Sequence, residues 1–268
     1  MDNQPIFFLD SGIGGLPYCD HFHKANPKEA LVYLADREYF PYGSKGRPEL
    51  LQRLTELLTW LRERYDPKLG VLACNTASVS ALQDLRESFP DLPLVGTVPA
   101  VKLAVLASKK RHIGVLGTSR TIGDPYIAEL AAEFGADCAL TAIAAPDLVE
   151  FVEHRYAVSD EEERVAAVLP YIDQFRSAGA DAIVLGCTHF LFLRDAFKAA
   201  AGDLSIHDSL DGVSHRVEAL LDQGDLRAGS GGRENILLVT GKGAPEPVWQ
   251  ERARAFGLTL RTEQDYCS

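Results

Sequence analysis

Two cysteines, Cys74 and Cys187, occupy matching addresses in the chain. Each follows an apolar run, Val71-Leu72-Ala73 in one case and Val184-Leu185-Gly186 in the other. Each precedes residues able to open a helix, Asn75-Thr76 and Thr188-His189. A thiol at a helix N-terminus is biased towards its thiolate, and Asn or Thr there can both cap the helix and donate to a ligand. One strand-end cysteine is most simply a small buried hydrophobe, but two in equivalent places point to chemistry. One thiolate can take the proton from one face of a carbon acid while an opposing thiol delivers a proton to the other face, which inverts the centre. Such a reaction needs two acid/base groups of similar strength in opposite protonation states, and two similar half-chains supply them. Cys19, Cys138 and Cys267 lack this setting and read as core or surface residues.

Other polar residues sit where they could serve the same ligand. Asp10 and Ser11 follow the first apolar run, where Asp10 could accept from an ammonium group or assist Cys74, or simply begin a turn that Ser11 caps. The loop Gly12-Ile13-Gly14-Gly15, with Asp36 ending the next run, invites a dinucleotide-binding reading. That reading is rejected, because Pro17 takes the place of the third glycine and Asp10 would set a carboxylate beside the pyrophosphate. Gly241-Lys242-Gly243 lacks the flanking residues of a phosphate loop and reads as a turn. His189, two residues after Cys187, could tune or relay for it, or cap or face solvent. The turn Phe40-Pro41-Tyr42-Gly43 could bind a carboxylate through its backbone and phenol or merely shape the loop. No His/Asp/Glu grouping has metal-ligand spacing, so no metal is expected.

These residues must be held by a frame, and the apolar runs describe it. Runs at 6-9, 31-35, 69-73, 93-98, 113-116, 139-144, 182-185, 204-206 and 236-239 read as strands. Helical periodicity fills Leu50 to Tyr65, Thr76 to Phe89, Tyr126 to Glu133 and Asp160 to Ala178. The alternation predicts an α/β fold with mainly parallel sheets covered by helices and a site at the carboxyl ends of the strands. The chain also resembles itself. Ile6-Phe7-Phe8-Leu9 leading into Asp10-Ser11-Gly12 is echoed by Ile113-Gly114-Val115-Leu116 leading into Gly117-Thr118-Ser119, and the two cysteine segments follow in the same order. Two pseudo-symmetric domains are therefore expected, residues 1-98 with 207-268 and residues 99-206, with the active site in the cleft between them.

The totals exclude several other classes. With 268 residues, 46% hydrophobic and 24% charged, the chain has ordinary globular composition. Its net charge of −11 opposes nucleic acid and acidic membranes, so an anionic ligand would rely on backbone N–H groups and helix N-termini. Five cysteines without a C-x-x-C pair argue for free thiols. Residues 1-5 carry no basic leader pattern and no apolar run approaches about 20 residues, so a cytoplasmic location is expected.

Taken in order, Asp10-Ser11-Gly12-Ile13-Gly14-Gly15, Pro41-Tyr42-Gly43, Cys74-Asn75-Thr76-Ala77-Ser78, Gly117-Thr118 and Gly186-Cys187-Thr188-His189 resemble the glutamate racemase family, within the cofactor-independent aspartate/glutamate racemases. The likeness continues through Val98-Pro99-Ala100, Leu148-Val149 with Glu153, Asp208-Ser209 and Val239-Thr240-Gly241. It implies interconversion of L- and D-glutamate without a cofactor, supplying D-glutamate for peptidoglycan, by a homodimer. Carried over, Cys74 and Cys187 are the proton donor/acceptors, assisted by Asp10 and His189, with Glu153 near the second thiol. Ser11, Pro41, Tyr42, Gly43, Asn75, Thr76, Thr118 and Thr188 would hold the substrate together with Asp10 and His189. Leu191, Asp124-Pro125 and Glu150 depart from the family pattern. Two rival readings are an aspartate racemase or another member of the same superfamily, and a protein that binds an acidic amino acid without turning it over.

Overall fold

The structure, a computed structural model, describes residues 4-229, 234-242 and 244-261. Gly243 and Cys267 lie outside these. In chain order the strands are β1 (Ile6–Asp10), β2 (Leu31–Ala35), β3 (Leu69–Leu72), β4 (Leu94–Gly96), β5 (His112–Gly117), β6 (Ala139–Ala144), β7 (Ala182–Gly186), β8 (Ser205–His207), β9 (Ile236–Val239) and β10 (Thr259–Arg261). The helices are α1 (Leu16–Ala25), α2 (Arg47–Tyr65), α3 (Asn75–Ser88), α4 (Val101–Ala107), α5 (Ser119–Gly123), α6 (Pro125–Gly135), α7 (Pro146–His154), α8 (Glu161–Ala178), α9 (Arg194–Ala201), α10 (Leu210–Gln223) and α11 (Pro247–Ala255). All nine expected strands are present. β10 was not anticipated, because Thr259-Leu260-Arg261 offers a single apolar side chain on a short edge strand. Among the described residues no helix is long and apolar enough to cross a membrane.

By its contacts the chain divides into two compact units, Met1–Thr97 with Leu210–Ser268, and Val98–Ser209. The first unit holds a six-stranded sheet in the order β10-β9-β2-β1-β3-β4, paired in parallel throughout. Every residue of β1, β2 and β3 is buried, as continuous apolar strands must be when helices cover both faces. On one face Phe7, Leu9, Val32, Leu34 and Leu72 pack against Leu50, Leu54, Leu57 and Leu61 of α2 and Ala77, Ala81 and Leu85 of α3. On the other, Phe8 meets Phe22 of α1, ring centroids 5.9 Å apart.

The second unit holds a four-stranded parallel sheet in the order β6-β5-β7-β8. Ile113, Val115, Ala182 and Val184 pack against α4 and α6 through Val101, Ala104, Val105, Ile127 and Ala131. The opposite face receives Phe175 of α8, which lies so close to Gly114 that a side chain there would overlap its ring. Helix α8 begins at the expected place because Asp160 and Glu163 form a reciprocal capping box, and it ends at Gly179, whose φ of 89° is left-handed.

Candidate active site

The two thiols hold the same address, each within its own sheet. In the first unit the local order β2-β1-β3-β4 matches β6-β5-β7-β8 in the second. Leu9 of β1 pairs with Leu72 of β3, and Cys74 stands two residues beyond Leu72. Leu116 of β5 pairs with Leu185 of β7, and Cys187 stands two residues beyond Leu185. Both therefore emerge at the carboxyl end of the sheet, where the chain runs outward in opposite directions from the central strand. Open α/β sheets bind their ligands at this switch point.

Around Cys74 the first unit gathers a dense polar set. Cys74 is the N-cap residue of α3. Asp10, Ser11, Asn75 and Thr76 are all buried beside the same strand ends. The Asp10 carboxylate accepts from the Gly12 N–H at 2.7 Å, which fixes the loop that follows β1. Tyr33 secures it further, donating to the Gly12 carbonyl at 2.9 Å and accepting from the Gly15 N–H at 3.1 Å. Gly15 is required by close approach, since a Cβ would lie 2.7 Å from Ala73 Cβ, next to Cys74. Gly15→Ala is expected to push this loop off β3, costing about 1–3 kcal/mol as overpacking does and lowering turnover. Denaturation and steady-state assays would show it, and an unchanged protein on both counts would contradict the packing argument.

The expectation that Asn75 caps the helix is not met. No side chain caps α3. The Asn75 amide instead donates to the Thr97 carbonyl at 3.0 Å, joining α3 to the chain beyond β4. Its oxygen is buried without a hydrogen-bond partner, which leaves an acceptor at the site for a ligand donor.

The structure also reveals a buried hub that the sequence reading missed. Asp36, fully buried, accepts from Arg53 Nε at 3.0 Å and Arg53 Nη2 at 2.5 Å, from the Tyr42 hydroxyl at 2.8 Å and from Thr240 Oγ1 at 2.7 Å. In the sequence Asp36 reads only as the acidic residue of a rejected dinucleotide fingerprint. A signal existed: Arg53 falls inside the apolar stripe Leu50, Leu54, Leu57, Leu61, and a charge on a buried helix face demands a buried partner. The Tyr42 phenol is thereby committed. Burial first, then the Asp36 carboxylate, raise its pKa well above the usual phenol range, so it stays a neutral donor. The Tyr42 hydroxyl is thus occupied within the fold, and Tyr42–Ser44 forms a 3-10 turn.

Around Cys187 a chain of acid/base groups is assembled. Cys187 Sγ lies 3.9 Å from His189 Nδ1, and His189 Nε2 lies 2.8 Å from Glu153 Oε1, with all three residues buried. Glu153 arrives on α7, 34 residues before Cys187 in sequence. Cys187 does not open an α-helix directly. Thr188–Leu193 is a 3-10 segment and α9 starts only at Arg194. Thr188, His189, Phe190, Leu191 and Leu193 are all buried, so side chains must be accommodated around this segment rather than along one stripe. Leu191, one of the departures from the family pattern, lies within it.

Burial pulls the His189 pKa down, but hydrogen bonds and charge from Cys187 and Glu153 outweigh it, so the value is raised well above the usual imidazole range. A group whose folded-state pKa exceeds its unfolded value near about 6.5 stabilises fully below that pH and loses this contribution as pH climbs through the folded value. The stability gap between wild type and Glu153→Gln should be widest below about pH 6.5 and narrow progressively as pH rises from there through the raised folded-state value. Denaturant titrations at several pH values test this, and a gap independent of pH would contradict it.

The remaining residues fall into place individually. Thr118 is the N-cap of α5 and accepts from the Thr121 N–H at 3.2 Å. Gly186 carries no side chain because a Cβ would sit 2.9 Å from the Leu116 carbonyl oxygen. Asp124 caps α6 by accepting from Tyr126 N–H, with Pro125 in its first turn, which accounts for that pair. Glu150 is exposed and lies 3.3 Å from His154. Cys19 is a buried thiol whose pKa burial, and then Asp20, push far up, consistent with a core role. Among the described residues no group of three His, Cys, Asp or Glu is placed to hold a metal ion.

A parallel α/β chain with a thiol at the switch point of each sheet, one of them backed by His and Glu, has the architecture of an isomerase of the amino-acid racemase class. The chain belongs to the Asp/Glu/hydantoin racemase family, whose sequence profile matches residues 18–220. It is 44% identical over 211 residues to the glutamate racemase of Treponema pallidum, covering 78% of each protein. It is 41% identical over 223 residues to that of Sphingopyxis alaskensis, covering 82% of this chain and 83% of the relative. Its fold matches the crystal structure of Escherichia coli glutamate racemase in complex with L-glutamate and the activator UDP-MurNAc-ala, with a TM-score of 0.85 and 29% identity over 97% of this chain and 98% of that one.

Proposed function

We propose that this protein interconverts L- and D-glutamate by a two-base mechanism in which Cys74 and Cys187 serve opposite faces of the α-carbon. The observation that carries this reading is the identical register of the two thiols in two sheets of the same local order. A thiolate on one side removes the α-proton, and the thiol on the other side delivers a proton to the opposite face. In the reverse direction the roles exchange. Asp10 assists Cys74, and His189 with Glu153 assists Cys187. Ser11, Asn75, Thr76, Thr118 and Thr188, with the Tyr42-Gly43 backbone, hold the carboxylates and ammonium. The helix dipole at the start of α3 favours an anionic group there. No cofactor takes part, and the D-glutamate formed serves peptidoglycan synthesis.

Glutamate rather than aspartate is supported by the curated relatives, which carry that name at 33% to 44% identity. The test is to incubate the purified protein with L-glutamate, without added cofactor, and follow optical rotation, then repeat with L-aspartate. Decay of rotation with glutamate and not aspartate is expected. Decay with aspartate alone would transfer the protein to the aspartate-specific reading, and saturable binding without any decay would make it a binding protein.

A further inference from the structure

The second thiol's acid/base chain runs alongside an aromatic contact of the same spacing. His189 and Phe192 are three residues apart in the 3-10 segment Thr188–Leu193, where side chains at i and i+3 eclipse and so project from the same side. Their partners are also three residues apart: Glu153 lies in the last turn of α7 and Tyr156 opens the next 3-10 turn, Tyr156–Val158. Two parallel rungs result. His189 bonds Glu153 at 2.8 Å, and Phe192 meets Tyr156 edge to face with ring centroids 5.3 Å apart and planes at 72°.

The aromatic rung is itself braced from α8. The Arg164 guanidinium lies 4.2 Å from the centre of the Tyr156 ring. It also donates to the Tyr156 carbonyl at 3.0 Å, the Ser159 carbonyl at 2.7 Å and Ser159 Oγ at 3.0 Å. The turn that carries Tyr156 is therefore tied down, and the ring it presents fixes where Phe192 lies. A Cys187–His189 separation of 3.9 Å is a long contact. Small displacements of the 3-10 segment would decide whether the imidazole reaches the sulfur.

We propose that Tyr156 and Phe192 are positioning residues for the reaction, a packed aromatic rung that sets the height of the Thr188–Leu193 segment against α7 and so aligns His189 between Glu153 and Cys187. The proposal rests on the reading of His189 and Glu153 as assistants to Cys187, and the experiment separates the two. Leucine is used in place of the rings so that apolar bulk is kept and the variants fold. Tyr156→Leu and Phe192→Leu should each lower kcat by about tenfold while KM stays within about twofold, as expected when a reacting group is misplaced rather than lost. Their pH–rate profiles should shift in the same sense as that of Glu153→Gln. Tyr156→Phe keeps the ring and should restore both kcat and profile.

A folded Tyr156→Leu or Phe192→Leu with wild-type kcat and pH profile would overturn the proposal, and so would a loss that Tyr156→Phe fails to restore. His189→Gln distinguishes the layers. If it is impaired while the leucine variants are normal, only the aromatic rung is wrong. If it too behaves as wild type, the assistant role of His189 fails and the proposal falls with it.

Discussion

Cys74→Ala and Cys187→Ala are each expected to reduce racemisation by about a thousandfold or more, within the range that a positioned acid/base group contributes and compounded by the need for both. Neither change should unfold the protein. Each thiol sits at the end of a strand, where it contributes only a small buried side chain, and trimming one sulfur there should cost about 1 kcal/mol. The equivalence of the two sites makes the prediction symmetrical. A one-base enzyme would lose activity in one variant and retain it in the other. Kinetic assays in both directions, with circular dichroism to verify folding, decide the matter, and full turnover by either variant would sink the two-base scheme.

Arg53→Met is expected to destabilise the protein by about 3–5 kcal/mol, the usual cost of leaving one buried charge without its partner. The Arg53 guanidinium meets both oxygens of a carboxylate with no exposure to water, through Nε at 3.0 Å and Nη2 at 2.5 Å. Lysine cannot reproduce this fork, so Arg53→Lys should recover little. The double variant Arg53→Met with Asp36→Asn should recover part of the loss, because no buried charge is left unpaired, Glu38, the other partner of Arg53 at 3.1 Å, being partly exposed to water, while Tyr42 and Thr240 keep an acceptor. The effect should reach the site as well. Tyr42 is held by Asp36, so loosening Asp36 frees the Tyr42-Gly43 turn and should raise KM. Urea denaturation measures the stability term, and a loss below about 1 kcal/mol would show that water or another cation compensates Asp36.

The features legible in the sequence were those written in local pattern. Strands such as Leu31–Ala35 and Ala182–Gly186 are uninterrupted apolar runs because both faces of a parallel sheet are covered, and α8 announces itself through Asp160 and Glu163. The internal repeat was visible for the same reason: each cysteine follows an apolar strand at a similar distance from a small polar loop, 64 residues from Asp10 to Cys74 and 70 from Gly117 to Cys187. Long-range polar pairing was the part that local pattern could not convey. Nothing adjacent to Asp36 shows that it will meet Arg53, Tyr42 and Thr240, the last of them 204 residues away. Glu153 entered through family resemblance alone, since its bond to His189 depends on how α7 packs against the segment after Cys187. The 3-10 start after Cys187 was likewise hidden, because burial all around the segment, rather than periodicity, shapes it.

The most direct test of the two-base account is the fate of the α-proton during the first few per cent of turnover in deuterium oxide, starting from L-glutamate. The account predicts that newly formed D-glutamate carries deuterium at the α-carbon while unreacted L-glutamate retains its proton, because one thiol removes the original hydrogen and a different, solvent-exchanged thiol supplies the new one. D-glutamate that retains the original proton, or L-glutamate labelled as fast as product forms, would mean that a single base works on both faces and would contradict the assignment of Cys74 and Cys187 as partners.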